Sequence, residues 1–95
     1  MADRVHQLLA TDVALDKLGA HLIAAVEAEQ VLRNPHVIVR NPRSPADPGR
    51  RRLLIGRTDG GRAITLVIER TADSTSWLIV TGWSSTAAQR RMLER

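Results

Sequence analysis

Residues 49–69 read GRRRLLIGRTDGGRAITLVIE, and this stretch restricts the fold more than any other. Two apolar runs, Leu53-Leu54-Ile55 and Ile64-Thr65-Leu66-Val67-Ile68, flank Asp59-Gly60-Gly61. Asp-Gly and Gly-Gly supply the positive φ angles of a tight turn, so the stretch predicts a β-hairpin. In its second strand Ile64, Leu66 and Ile68 share one face, and Ala63, Thr65, Val67 and Glu69 the other. Arginines stand at the entrance (Arg50, Arg51, Arg52), before the turn (Arg57) and after it (Arg62). A two-stranded ribbon carrying guanidinium groups is suited to a phosphate backbone.

The rest of the chain is arranged around that hairpin. Residues 3–20 predict a helix, with Leu8, Leu9, Val13, Leu15 and Leu18 on a broad apolar stripe. Thr11 or Asp12 offers a restart, and Gly19 offers a C-cap. Residues 1–11 are expected to fray. A second helix is expected from about Ala24 to Arg33, with Val26, Ala28, Val31 and Leu32 inward and Asn34-Pro35 ending it. The β-branched run His36–Arg40 predicts a strand. Residues 41–49 (NPRSPADPG) hold three prolines and predict an exposed loop.

After the hairpin, Thr71–Thr75 predicts a turn and Ser76–Trp83 a last strand. Strict alternation there puts Leu78 and Val80 on one face, to be buried with Ile64 and Leu66, and Trp77, Ile79, Thr81 and Trp83 on the other. From Thr86 a capping box, Thr86-x-x-Gln89, opens a basic helix. The order α-α-β-β-β-β-α predicts a single α+β domain over residues 1–95, with two N-terminal helices, a four-stranded antiparallel sheet and one C-terminal helix.

Composition matters at four points. Aromatic residues are two Trp, with no Phe or Tyr, so the core must be aliphatic. There is no cysteine, which excludes disulfides and thiolate chemistry. No apolar run approaches the roughly 18 residues of a membrane span, and the first residues lack a signal-peptide layout, so a cytoplasmic protein is expected. Charge is uneven. Residues 1–32 carry two basic and five acidic side chains, a net of −3, whereas residues 33–95 carry 12 arginines against five acids, a net of +7. An anionic partner is expected for the second part, nucleic acid first.

Several short motifs are similar to those of the BrnT-type toxins of bacterial toxin–antitoxin systems, whose fold is related to RelE-type ribonucleases. Lys17 and His21 match a Lys-rich helix ending in His-Gly, although Leu22 stands where the Gly would be. Glu27–Pro35 resembles the second helix and the Asn/Asp-Pro after it. Arg51–Gly56 resembles a strand with Arg four residues before Ile-Gly, and Arg62–Glu69 the long apolar strand. Thr81-Gly82-Trp83 through Arg90 resembles the final strand–helix junction. There Trp83, Gln89 and Leu93 take the places of an Arg, a carboxylate and an aromatic.

The resemblance implies a BrnT/RelE-like fold, a toxin acting as a metal-independent endoribonuclease, and a cognate antitoxin as partner. The chain could then be a homo-oligomer or a toxin–antitoxin hetero-oligomer. Such chemistry needs proton-transfer groups and cations around the phosphorane. His21, Glu69, Arg62 and Arg90 are the catalytic candidates, with His36 a further titrating group. Arg50, Arg51, Arg52, Arg57, Arg91 and Trp83 are the RNA-binding candidates; an indole can stack a base, though the simpler expectation for Trp77 and Trp83 is that both fill a second small core under a helix. No cofactor is expected, and the three histidines lack metal-ligand spacing. The departures at Trp83, Gln89 and Leu93 favour an alternative: a non-catalytic RNA- or protein-binding module of the same fold.

Overall fold

A computed structural model describes residues 4–40 and 50–94; the loop expected at residues 41–49 lies outside them. The order of elements is β1 (Gln7–Leu9), α1 (Asp12–Ala20), α2 (Ala25–Arg33), β2 (His36–Arg40), β3 (Arg51–Arg57), β4 (Ala63–Arg70), β5 (Ser76–Ser84) and α3 (Ala87–Leu93). The strands form one five-stranded sheet in the order β1-β5-β4-β3-β2. The expected four antiparallel strands are present as β2 to β5. A fifth, β1, lies parallel to β5 with Gln7 opposite Ser76, so the sheet is mixed.

That strand corrects the expectation of a helix over residues 3–20 with a frayed start. The amides of His6 and Gln7 both donate to the Thr75 carbonyl, and pairing along β5 satisfies backbone groups that a frayed end would leave to water. The first helix begins only at Asp12, where the Thr11 hydroxyl accepts from the Ala14 amide.

The end of α1 is also rearranged. Gly19 lies inside the helix, and His21 is the C-cap. The Ile23 amide donates to the Leu18 carbonyl and the Leu22 amide to Gly19, each at 2.9 Å, which is a Schellman closure. Leu18 and Ile23 meet beneath it in the core. The left-handed position falls on Leu22, at φ 58°, with its side chain 82% exposed.

The sheet is packed on both faces. On one, α1 and α2 bury Ala14, Leu18, Ile23, Ala28 and Val31 against Leu54, Ile64, Leu66, Ile68, Trp77 and Ile79. Each Leu, Ile or Val so buried contributes about 1.5–3 kcal/mol. On the other, α3 brings Met92 and Leu93 to Leu53, Ile55, Val67, Val37, Val39, Val80 and Trp83. Of the residues expected inward on the two helices, Val13 and Val26 face solvent instead, at 64% and 56% exposure. Only Ala14 and Leu18 of α1, and Ala28 and Val31 of α2, are fully buried, so each helix rests on a narrow stripe.

A bulge in β5 overturns the alternation read from the sequence. Pairing runs Val67 opposite Thr81 but Ile68 opposite Ile79, so Val80 is the additional residue. Ile79 and Trp77 therefore join Ile64 and Leu66 under the helices, the place expected for Leu78 and Val80. Trp77 and Trp83, expected on one face, sit in the two different cores. The hairpin turn is where the sequence put it: the Gly61 amide donates to the Thr58 carbonyl and the Thr58 amide to Arg62, both at 2.9 Å. Of its two glycines only Gly61 has a left-handed φ, 89°. A second glycine is a contact point. A Cβ on Gly82 would stand 2.7 Å from Leu66 Cδ2 and 3.0 Å from Leu18 Cδ2, so its absence lets α1 settle on the sheet.

Candidate nucleic-acid interface

The hairpin carries its arginines at two ends rather than along one ribbon. Seven residue steps separate Ala63 from Arg70 along β4, roughly 24 Å at strand rise. Arg57 and Arg62 stand at the turn end, and Arg50, Arg51 and Arg52 at the far end. Neighbours in a strand also alternate. Arg51 shares the α3 side with Glu69, its directly opposite partner, and Arg52 points to the other side.

At the turn end three arginines meet carboxylates. Arg33 lies 3.0 Å from Asp59, Arg62 3.5 Å from Glu27, and Arg57 3.9 Å from Glu94. Arg62 is the most committed of them. Its Nη1 donates to the Leu22 carbonyl at 2.7 Å and to Glu27, and its Nη2 to the His21 carbonyl at 3.2 Å and the Ser84 hydroxyl at 3.0 Å. Carbonyls at a helix C-terminus carry partial negative charge, so a guanidinium is favoured there. Four of its five N–H groups thus have acceptors in the fold. Glu27 in turn accepts from the Ala24 amide that opens α2, so one carboxylate joins the cap of a helix to the staple.

Of the four catalytic candidates, three come to one corner. His21 caps α1 with an exposed side chain, Arg62 bridges its carbonyl to Ser84, and Arg90 reaches the Ser85 carbonyl at 2.8 Å. Glu69 is at the opposite end, bonded by Arg51 Nε at 3.1 Å. Beside that corner a hydrogen-bonded set runs under α3. Gln89 Oε1 accepts from Trp83 Nε1 at 3.2 Å, from Thr65 Oγ1 at 2.9 Å and from the Thr86 amide at 2.9 Å. Because the Thr65 hydroxyl donates to Gln89, its 2.9 Å contact with Ser85 must be donated by Ser85. Trp83 is half-buried in this set, and Arg91 is exposed on α3.

The far end has a different balance. The ends of β2, β3 and β4 and the approach to β1 bring Arg40, Arg50, Arg51, Arg52, Arg70 and Arg4 together, with Glu69 and Asp73 the acids among the described residues. Arg40 is directly opposite Arg52, and the Arg70 amide donates to the Arg50 carbonyl at 2.8 Å. Arg70 also lies over the Trp77 ring, 5.1 Å from its centroid, while the indole N–H donates to the Arg4 carbonyl at 3.1 Å. Asp73 is held below the ordinary carboxylate range by the Thr75 amide first, then by the Thr75 and Ser76 hydroxyls. Arg4, Arg40 and Arg70 were not singled out from the sequence. For Arg40 and Arg70 the available signal was a place at the close of a strand run, where strand ends converge; nothing in the sequence marked Arg4.

Among the described residues no three His, Asp or Glu side chains are grouped to hold a metal ion, and no helix is long and apolar enough to cross a membrane. No protein-family model matches the chain, and no curated protein matches it either.

Proposed function

We propose that this chain is an RNA-binding module of BrnT/RelE-like type, which holds a single-stranded backbone at the far end of its sheet. The observation that carries the reading is the convergence of basic residues where the strands end: Arg40 closes β2, Arg51 and Arg52 open β3 and Arg70 closes β4, with Arg40 directly opposite Arg52. Guanidinium groups set side by side on neighbouring strands can hold one phosphate through paired N–H donors.

The test is binding of a single-stranded oligoribonucleotide by fluorescence anisotropy over a range of salt. Each lost phosphate contact lowers the log–log slope by about 0.7, so changing Arg40, Arg51 and Arg52 together to Gln should lower it by about two. Arg33→Gln, at the turn end, should leave it unchanged. An unaltered slope in the triple variant, or no binding at low salt, would overturn the reading.

A toxin acting as a metal-independent endoribonuclease, with an antitoxin covering the basic surface, is the second reading. The gathering of His21, Arg62 and Arg90 at one corner favours it. In it His21 moves the proton and the arginines stabilise phosphorane charge. RNA cleavage in EDTA, with and without ribosomes, tests it: His21→Ala should slow cleavage by about 10²–10⁴-fold. A wild-type protein that binds RNA and does not cut it leaves the binding module.

A further inference from the structure

A cleft of about 630 Å³ opens at the turn end, between the α2–β2 junction, the hairpin loop and the last turn of α3. That volume is in the range of small-molecule sites, roughly 300–1,000 Å³. Pro35, Val37, Met92 and Leu93 supply an apolar wall, and Arg57 and Asp59 contribute charge. Its rim is fixed before any ligand arrives. Asn34 Nδ2 donates to the Arg57 carbonyl at 2.9 Å and to Asp59 Oδ1 at 3.0 Å, while Arg33 holds the other Asp59 oxygen at 3.0 Å. The Asp59 amide is bound by Gln30 Oε1 at 3.2 Å. Asp59 is therefore a neutralised, anchored part of the wall.

Arg57 is less committed. Its Nη1 donates to the Gly61 carbonyl at 3.1 Å, and its other charged contact is Glu94 at 3.9 Å, with the two side chains 41% and 67% exposed. A guanidinium has five N–H donors, so most of this one's capacity remains for a ligand. An apolar molecule would leave that cation unused, and a bare phosphate would leave the four-residue wall wet. The two features together select a flat, apolar-faced body that carries one anionic group.

We propose that this cleft binds a nucleoside monophosphate unit, its base against Pro35, Val37, Met92 and Leu93 and its phosphate on Arg57. The proposal rests on the RNA reading only for the source of the unit, which is one residue of a single strand or a free nucleotide. The phosphate replaces Glu94 as the partner of Arg57, so Glu94 is a competitor that limits affinity. Removing the two charges should act in opposite directions.

Titration of the full chain followed by amide chemical shifts tests this, with UMP and AMP as probes, uridine as the phosphate-free control, and a single-stranded oligoribonucleotide. UMP or AMP should move the amides of Asn34, His36, Val37, Arg57, Asp59, Gly61, Met92 and Leu93. Uridine should bind about tenfold or more weakly, and Arg57→Gln should reduce nucleotide affinity by a similar factor. Glu94→Gln should tighten it. Shifts at the cleft from the oligonucleotide assign a strand as the source, and shifts from the mononucleotide alone assign a free ligand; both support the site. No movement of these amides by any probe up to about 10 mM, on the scale of weak ligand affinities, would overturn it. So would equal binding of uridine and UMP. An oligonucleotide that moves only the arginine-rich end, with no probe moving the cleft amides, defeats the cleft and leaves the RNA reading standing. Mononucleotide at the cleft with no oligonucleotide binding anywhere does the reverse.

Discussion

The indole N–H of Trp83 donates to the side-chain oxygen of Gln89 at 3.2 Å, and the same oxygen accepts the Thr65 hydroxyl and the Thr86 amide. Gln89 thereby closes the capping box of α3, ties that helix to β4, and fixes the ring of Trp83. Both positions differ from the motifs that the sequence otherwise resembles, and here they satisfy each other. The helix has no fully buried residue of its own, so this oxygen is a large part of what holds it down. Replacing Gln89 by Leu leaves three donors without their acceptor and should destabilise the fold by about 2–3 kcal/mol, measured by chemical denaturation. Gln89→Glu keeps an acceptor at that point and should retain stability at neutral pH.

At Leu22 the backbone lies in the left-handed region with the side chain in water. Glycine adopts that conformation freely, and almost no apolar burial would be lost on substitution. Leu22→Gly should therefore stabilise the protein, by about 0.5–1 kcal/mol, after the greater unfolded-state entropy of glycine is deducted. Thermal unfolding reads the shift. A lower melting temperature would show that the Leu22 side chain has a contact role.

The two turn glycines should respond unequally. Gly61→Val forces a β-branched residue to φ near 89° and should cost about 1–3 kcal/mol. Gly60 lies outside the left-handed region and has no atom nearer than Thr58 Oγ1 at 3.8 Å to a built Cβ. Gly60→Ala should fall within about 0.5 kcal/mol of the parent. Comparable losses at the two positions would contradict the turn described above.

Arg62 fastens the α1–α2 corner to the ends of β4 and β5, and this predicts a stability effect that is independent of any activity. Arg62→Met keeps most of the stem but leaves the His21 and Leu22 carbonyls to water, and should cost about 0.5–1.5 kcal/mol by denaturation. Lysine cannot reproduce the forked geometry, so Arg62→Lys should restore only part of the loss. Any reduction in RNA cleavage by these variants must be read beside that loss.

Much of this fold was legible because its signals are local. Asp59-Gly60-Gly61 named its own turn, Thr86 and Gln89 their capping box, and Asn34-Pro35 the end of α2. The parts that were not legible depend on distant partners. Gln7-Leu8-Leu9 has neither length nor alternation, and becomes a strand only because Ser76-Trp77-Leu78 lies beside it. Nothing in Ser76–Ser84 marks Val80 as an extra residue, yet that residue decides which tryptophan lies under which helix. The arginines were visible as charges. Their acceptors were not, since the partners of Arg62 are carbonyls freed by the close of α1, and strand register is what sends Glu69 to Arg51 and away from His21.

The parallel contact between Gln7 and Ser76 joins residues 69 positions apart, and this bears on the order in which the chain assembles. The hairpin closes over a handful of residues, and β5 follows it after a short turn, so three central strands can form before much chain entropy is lost. The outermost strand has to wait for β5 to exist, and its three residues give little return for closing so long a loop. Docking of β1 should therefore be the slowest step of assembly and its release the easiest local opening. Amides of residues 6–9 should exchange with solvent well before those of Leu54, Ile64 and Leu66, through partial unfolding that leaves the rest of the sheet intact.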